Sequence, residues 1–387
     1  MHTHPMKEEA IHVLHLLRPS AGGMRTHVRT LLEHHDLSRL RVTLAAPAVM
    51  RDALYDGLED RAGFRGLEMT DPAVPFGLIY SGILLSALIR KEKFHIIHAH
   101  GVRATLAAAL AGGGARVRLA TLHRPLPRPV NPAARSMLTL ALRAMDHVVA
   151  PSERIRQDLL KAGLDRSQVS LIPEGVDAPR VSEADKLRAL RSAGLDPTRP
   201  VVLFPARLCP GSQFRPVTRA AAEILRLAPE AQLVLAGEAP PDASSRRLQR
   251  ALAQLGATCT GAVEDLCALL AAASIIVAPA PCPDLSRTLL EAMALGVSPV
   301  CVESGDTRWP VHDGVTGRIV PAGNPSALAE AAVSLLRHPE EAERLGNAAR
   351  ERVRTEHSGQ QMARRLEILY ETLLSRAEGG GACAARF

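Results

Sequence analysis

Aromatic residues make up only 3% of this 387-residue chain. That scarcity leaves few stacking platforms for bases, so nucleic acid is a poor partner for it. Long apolar runs are also missing. The longest candidates, Gly77 to Ile89 and Ala104 to Ala111, are interrupted or fall short of the roughly 20 residues a membrane-spanning helix needs. The opening Met1-His-Thr-His-Pro-Met-Lys has no basic start followed by an apolar core, so no secretory leader is read and a cytoplasmic location is expected. Six cysteines, Cys209, Cys259, Cys267, Cys282, Cys301 and Cys383, are scattered without a Cys-x-x-Cys pair, and no histidine grouping has zinc spacing. The expectation is reduced, mostly buried thiols and no metal.

What is present is a globular composition, 47% apolar, in a chain long enough for two domains. The net charge of +7 is uneven. Residues 1–180 hold 24 Lys/Arg against 17 Asp/Glu, which gives +7, and the remainder holds 23 against 23. A basic first half suits an anionic membrane face or phosphorylated ligands. The competing reading is a plain composition effect, because arginine outnumbers lysine throughout.

Short apolar runs alternate with helical patterns, the signature of parallel sheets wrapped by helices. In the first half, strands fit Ile11 to Leu17, Arg41 to Ala46, His95 to His98, Val117 to Leu122 and His147 to Ala150. Helical patterns fit Thr26 to His34 and Ser152 to Ala162, and Leu171 to Asp177 reads as a last strand running into a connection. After a polar helix at Glu183 to Ala193, a second alternation has strands at Val201 to Pro205, Gln232 to Ala236, Ile275 to Ala278, Ser298 to Val302 and Gly317 to Val320. The α/β pattern predicts two doubly wound Rossmann-like domains, 1–180 and 181–358, facing across a cleft that would hold the site. Helices follow at Ala327 to Leu336, Pro339 to Arg354 and Gln360 to Ser375. The last, within 359–376, is expected to pack back on the first domain, ahead of a disordered tail at 377–387.

Several residues could carry chemistry. Arg287-Thr-Leu-Leu-Glu-Ala-Met-Ala-Leu-Gly296 reads as a helix bounded by Ser286 and Gly296, with one carboxylate, Glu291, in an apolar pattern. A carboxylate near a packed face needs a partner or ligand, whereas a solvated glutamate needs neither. Gly22-Gly23, between strand and helix, is either a phosphate cradle or a plain tight turn. Arg207 follows a strand end and is placed to grip a diphosphate, with a surface arginine as the alternative. Gly237 and Ser304-Gly305 mark two further strand ends. Among fifteen histidines, His123 in Thr121-Leu-His-Arg124 ranks first, ahead of His98 and His100, and the rest default to core or surface.

In order, these segments resemble the retaining glycosyltransferases of family 4, from about Val13 to Tyr370. Gly22-Gly-Met-Arg-Thr-His27 looks like the family's N-terminal glycine loop and Thr121-Leu-His123 like its histidine. Val149-Ala-Pro-Ser-Glu153, Ile172-Pro-Glu-Gly-Val-Asp177, Ala206-Arg-Leu208, Leu289-Leu-Glu-Ala-Met-Ala294 and Asp313-Gly-Val-Thr-Gly317 follow in register. The resemblance implies the two-domain GT-B fold and transfer from a nucleotide diphosphate sugar, a donor substrate rather than a cofactor, with no metal. Arg207 would hold the diphosphate, Glu291 the ribose, Gly22, Gly23 and Gly305 phosphate or sugar, and His123 the transferred sugar. The acceptor would be a sugar or lipid-linked hydroxyl in envelope polysaccharide or glycolipid synthesis, at the inner membrane face. Departures gather at the donor pocket. Ser212 stands where the family has lysine, and Pro283 where it has glutamate, with Asp284 the nearest acid. Altered donor use or lost catalysis, with the protein serving as a binding or scaffolding partner, are the two readings of those changes.

Overall fold

The computed structural model describes residues 10–19, 23–69, 77–126, 132–205, 214–237, 242–263, 265–279 and 287–380. The chain forms two compact units, Met1–Gly175 with Gly359–Phe387, and Val176–Ser358.

The first unit runs β1 (Ile11–Leu17), α1 (Gly23–His34), β2 (Leu40–Ala46), α2 (Arg51–Tyr55), β3 (Gly63–Gly66), α3 (Gly77–Glu92), β4 (Ile96–His100), α4 (Val102–Leu110), β5 (Val117–Thr121), α5 (Pro132–Arg143), β6 (His147–Ala150), α6 (Glu153–Lys161) and β7 (Val169–Leu171). Its seven strands are parallel in the order β3-β2-β1-β4-β5-β6-β7. Helices on both faces bury the central strands, so these read as nearly unbroken apolar runs. Leu85 and Ile89 of α3, Ala104 and Ala107 of α4, Leu142 of α5 and Leu159 of α6 cover one face. The other face packs on α1 and on the chain's last helix.

The second unit holds α7 (Glu183–Ser192), β8 (Val201–Pro205), α8 (Phe214–Leu227), β9 (Gln232–Ala236), α9 (Ala243–Gln254), β10 (Thr258–Gly261), α10 (Leu266–Ala271), β11 (Ile275–Ala278), α11 (Arg287–Ala294), β12 (Ser298–Val302), β13 (Arg318–Val320), α12 (Pro325–Arg337) and α13 (Pro339–Glu356). Its parallel sheet has the order β10-β9-β8-β11-β12-β13. Both units are therefore doubly wound.

The last helix, α14 (Gly359–Gly380), belongs to the first unit. Met362, Leu366, Tyr370 and Leu373, spaced four, four and three apart, form one helix stripe buried in a cluster with Val13, Ile96 and Val117. The helix continues to Gly380, which corrects the expected disorder from residue 377; an Arg116–Glu378 ion pair at 2.6 Å ties down its last turn. Residues 381–387 lie outside the described residues.

Strands β1, β6, β8, β9, β11 and β12 coincide with the runs read from sequence; β7 ends at Leu171, where the expected strand Leu171 to Asp177 was to begin, and the two unforeseen strands, β3 and β10, lie at sheet edges. Gly63-Phe-Arg-Gly66 and Thr258-Cys-Thr-Gly261 bury too little apolar surface to leave a pattern. Thiol burial is lower than expected: of the described cysteines only Cys301 is buried, while Cys259 and Cys267 are half-buried. Cys209, Cys282 and Cys383 lie outside the described residues.

Gly296 ends α11 at φ +84°, and Gly346 of α13 packs directly on it. A Cβ at Gly346 would lie 1.9 Å from the Gly296 carbonyl oxygen, which backbone cannot vacate cheaply. Helix propensity alone would favour alanine at Gly346 by about 1 kcal/mol. The clash reverses that sign. Gly346→Ala is expected to destabilise the second unit by about 3 kcal/mol in urea unfolding, and an unchanged midpoint would refute the close approach.

Candidate functional site

Register between parallel strands assembles a polar array at the carboxyl end of the first sheet. His15 of β1 lies opposite His98 of β4, Leu17 opposite His100, and His100 opposite Thr121 of β5. Residues two apart share a strand face, so His15, His98 and His100 all point to the side covered by α1 and α14. His27 comes from α1, His35 from just after it, His123 from two residues past β5, and Glu174 from beyond β7.

The contacts form a chain. Glu367 of α14 meets His35 Nδ1 at 3.0 Å, His35 Nε2 meets His15 Nε2 at 3.2 Å, and His15 Nδ1 meets His100 Nε2 at 3.0 Å. His100 Nδ1 then lies 3.3 Å from His123 Nε2, and His123 Nδ1 lies 3.5 Å from Glu174 Oε1. The other oxygen of Glu174 accepts from His27 Nδ1 at 3.1 Å. His98 stands beside this chain, bonded to Tyr370 Oη and to Thr121 Oγ1, each at 2.7 Å.

Burial governs the protonation of these groups. It pushes His15, His98 and His100 well below the usual imidazole range, reinforced by neighbouring imidazoles: His35 and His27 for His15, His15 and His27 for His98, and His98 and His15 for His100. His123 is lowered to about 4 by burial and then by His27, against the upward pull of Glu174. For Glu174, burial alone would raise the carboxyl, but His27 and His123 outweigh it and hold the group ionised far below the usual carboxylate range. His98 is thus a bonded core residue, and His123 is the least buried of the array's histidines. The default of isolated core or surface histidines does not hold for His15, His27 and His35.

Beyond the histidines, Arg18 follows β1, Arg103 opens α4 after β4, and Arg124 follows His123. Burial, then Arg103 and Arg124, lowers the pKa of Arg18. Arg18 and its neighbours Arg103 and Arg124 thus bring positive charge to the carboxyl ends of adjacent strands, where a doubly wound sheet receives its ligand.

In the second unit Glu291 is half-buried on α11 and accepts from Arg287 Nε at 2.9 Å, one turn earlier. The thiol of Cys267 is pushed up to about 11 by burial and then by Glu291. Gly237 ends β9 at φ +99° and bridges Gly261. Gly305 lies in the turn after β12, where Ser304 and Thr307 bond reciprocally, and a Cβ there would meet nothing within 4 Å. Gly23 begins α1 with the same freedom. Gly22, Arg207 and Asp284, with Ser212, Pro283 and Ser286, lie outside the described residues.

Two groups of histidines have ring nitrogens close enough to share a metal ion: His15, His98 and His100, and His27, His100 and His123. Neither was legible as metal spacing, because the members come from different elements. The sequence marks Glu174 only as the acid directly after Ile172-Pro173 in Ile172-Pro-Glu-Gly-Val-Asp177.

Residues 21–180 match the sequence profile of Glycosyltransferase Family 4, and residues 199–338 that of Glycosyl transferases group 1. Alpha-maltose-1-phosphate synthase of Mycobacterium tuberculosis is 30% identical over 59% of this chain and 64% of its own length. D-inositol 3-phosphate glycosyltransferase of Nocardia farcinica is 28% identical over 70% of this chain and 61% of its own. The matches thus span less than two thirds of these relatives. The crystal structure of Anabaena HepE in complex with UDP and glucose superposes with a TM-score of 0.74 at 18% identity, covering 94% of this chain and all of that one.

The lowered imidazoles set a pH dependence. His12 and His147 sit at about 4, the first through burial and Arg41, the second through burial and Arg376, as does His123. The unfolded chain takes up these protons from pH 6.5 downward and the folded chain only near 4, so stability is full above 6.5 and falls across that window. Each histidine contributes up to about 1.4 kcal/mol per pH unit. Urea unfolding followed by circular dichroism should show this decline, less steep in His147→Asn. A stability unchanged down to pH 4.5 would refute it.

Proposed function

The chain belongs to glycosyltransferase family 4 and has the GT-B fold, and on that premise we propose that it transfers a sugar from a nucleoside diphosphate sugar to a hydroxyl of a phosphorylated acceptor. The observation that carries this reading is the set of Arg18, Arg103 and Arg124 beside His123 at the ends of β1, β4 and β5. Guanidiniums suit a phosphate geometrically and electrostatically. Two relatives are named for phosphorylated sugars or cyclitols, which agrees with that chemistry.

Donor binding is assigned to the second unit, with Glu291 on the ribose, Arg207 on the diphosphate, and Gly237, Asp284 and Gly305 as further contacts; in the first unit, Gly22 and Gly23 are proposed backbone contacts for phosphate or sugar. His123 is assigned to the transferred sugar. Ionised Glu174 holds that imidazole by its Nδ1, and its Nε2 faces His100 Nδ1 at 3.3 Å.

No described helix is long and apolar enough to cross a membrane. Peripheral contact at the inner membrane face remains part of the proposal. Its support is the basic first half together with Ile79, Tyr80 and Ile83, exposed neighbours on one side of α3. An envelope glycolipid or polysaccharide product follows from that placement. Ser212 and Pro283 favour a second reading, a protein that binds the nucleotide or a partner enzyme without turnover.

Calorimetric titration with UDP, GDP and ADP, then with the matching sugar nucleotides, separates these readings. Micromolar binding lost in Glu291→Ala, with turnover, supports the transferase. Binding without turnover supports the second reading, and no binding to any of them overturns the donor assignment. Arg207→Ala should weaken diphosphates far more than a nucleoside. Each of Arg18→Ala and Arg124→Ala should raise KM for a phosphorylated acceptor roughly 10- to 150-fold, the equivalent of a charged hydrogen bond worth about 1.5–3 kcal/mol. Equal effects on an unphosphorylated acceptor would refute the phosphate role.

A further inference from the structure

A proton count along the histidine chain gives a conflict. Five links join Glu367, His35, His15, His100, His123 and Glu174 in sequence. Each hydrogen bond needs one proton, and four imidazoles with one N–H apiece supply four. Starting from Glu367, His35 donates through Nδ1, His15 through Nε2 and His100 through Nε2, which leaves His100 Nδ1 a bare lone pair. Starting from Glu174, His123 donates through Nδ1, which leaves its Nε2 a bare lone pair. The two lone pairs then face each other at 3.3 Å, the longest of the imidazole–imidazole links.

One further atom is unserved in the same place. His27 is buried and its Nδ1 is bonded to Glu174, while its Nε2 has no hydrogen-bond partner among the described residues. A fifth proton on the chain would mend the facing lone pairs and leave His27 Nε2 as it is. A cation between the three rings mends both at once.

We propose that His27, His100 and His123 bind one divalent transition-metal ion, zinc or a close analogue, through His27 Nε2, His100 Nδ1 and His123 Nε2. One ring nitrogen from each of the three residues lies within 4.8 Å of the others. Two nitrogens on one tetrahedral zinc, bonded at roughly 2.0–2.1 Å, are about 3.3–3.4 Å apart, which is the spacing found between His100 and His123. Glu174 takes the Nδ1 protons of His27 and His123, the carboxylate–histidine pairing that orients metal-bound imidazoles. His100 passes its remaining N–H to His15, His15 to His35 and His35 to Glu367, so every proton is used once. An all-imidazole donor set selects zinc, cobalt, nickel or copper over magnesium and manganese. The second group, His15, His98 and His100, offers no such opening, because both ring nitrogens of His15 and of His98 are already bonded.

The test uses the full chain without a histidine tag, stripped with a chelator and titrated with Co²⁺ at pH 7.5. Binding of one equivalent, with the strong visible bands of four-coordinate cobalt and displacement by Zn²⁺, is the expected result. His27→Asn should abolish the bands. Glu174→Gln should weaken uptake 10- to 100-fold with circular dichroism unchanged, which keeps the test decisive if the histidine variant fails to fold. No uptake by the wild type overturns the proposal. So does uptake of equal affinity in His27→Asn, which would place the ion elsewhere, as on His2 and His4 at the chain start. The readout is metal uptake, so its failure leaves the transferase reading standing.

Discussion

The arrangement of the first unit depends on one buried carboxylate. Glu174 carries a charge in a setting that penalises it, and two imidazoles pay for that burial. They come from α1 and from beyond β5, 147 and 51 residues away in the chain. The carboxylate therefore fixes where the helix after β1 starts and where the chain leaves β5, and it sets which nitrogen of each ring faces inward. From the other end, Glu367 sets the tautomers of His35, His15 and His100 in turn, so the two runs meet between His100 and His123. Breaking such a network by removing one partner costs several kcal/mol, because the rest stays buried.

A gradient along the strands makes the network affordable. On the face covered by α1 and α14, the amino ends of the strands carry Val13, Ile96 and Val117, and the carboxyl ends carry His15, His98, His100 and Thr121. The apolar half supplies the burial that holds the helices in place. The polar half survives there because nearly every donor and acceptor finds a partner. Helix α14 serves both halves: Leu373 and Leu374 join the apolar cluster of Val13, Ile96 and Val117, while Glu367 and Tyr370 close the polar side by bonding His35 and His98. A terminal helix that looks like simple packing in sequence is thus the far wall of the site.

The sequence disclosed the strands of both sheets wherever burial on two faces left an unbroken apolar run, as at Ile11–Leu17 and Ser298–Val302. It was silent on β3 and β10, whose edge positions relieve them of that burial. His123 was legible from its place after a strand. Its partners were not, because His27, His100 and Glu174 meet only through strand register and helix packing, which no local spacing encodes. The alternation of His98 and His100 did signal a shared face. What that face met was fixed by a helix more than 260 residues later.

The glycines of the second unit separate packing from chemistry. Gly346 and Gly317 are forced: an added Cβ would run into backbone at 1.9 Å and 2.6 Å. Within Asp313-Gly-Val-Thr-Gly317, Asp313 also caps Ile319 N at 2.9 Å, so that whole landmark is accounted for by the fold. Gly305 and Gly23 are different. Neither has a positive φ, and a side chain at either would meet nothing. Packing leaves their identity unexplained, and both stand where a strand gives way to a turn or helix, the place where a doubly wound sheet receives its ligand. A glycine there lets a ligand approach the backbone closely. The residues that the fold does not require are therefore the ones that the transferase reading needs.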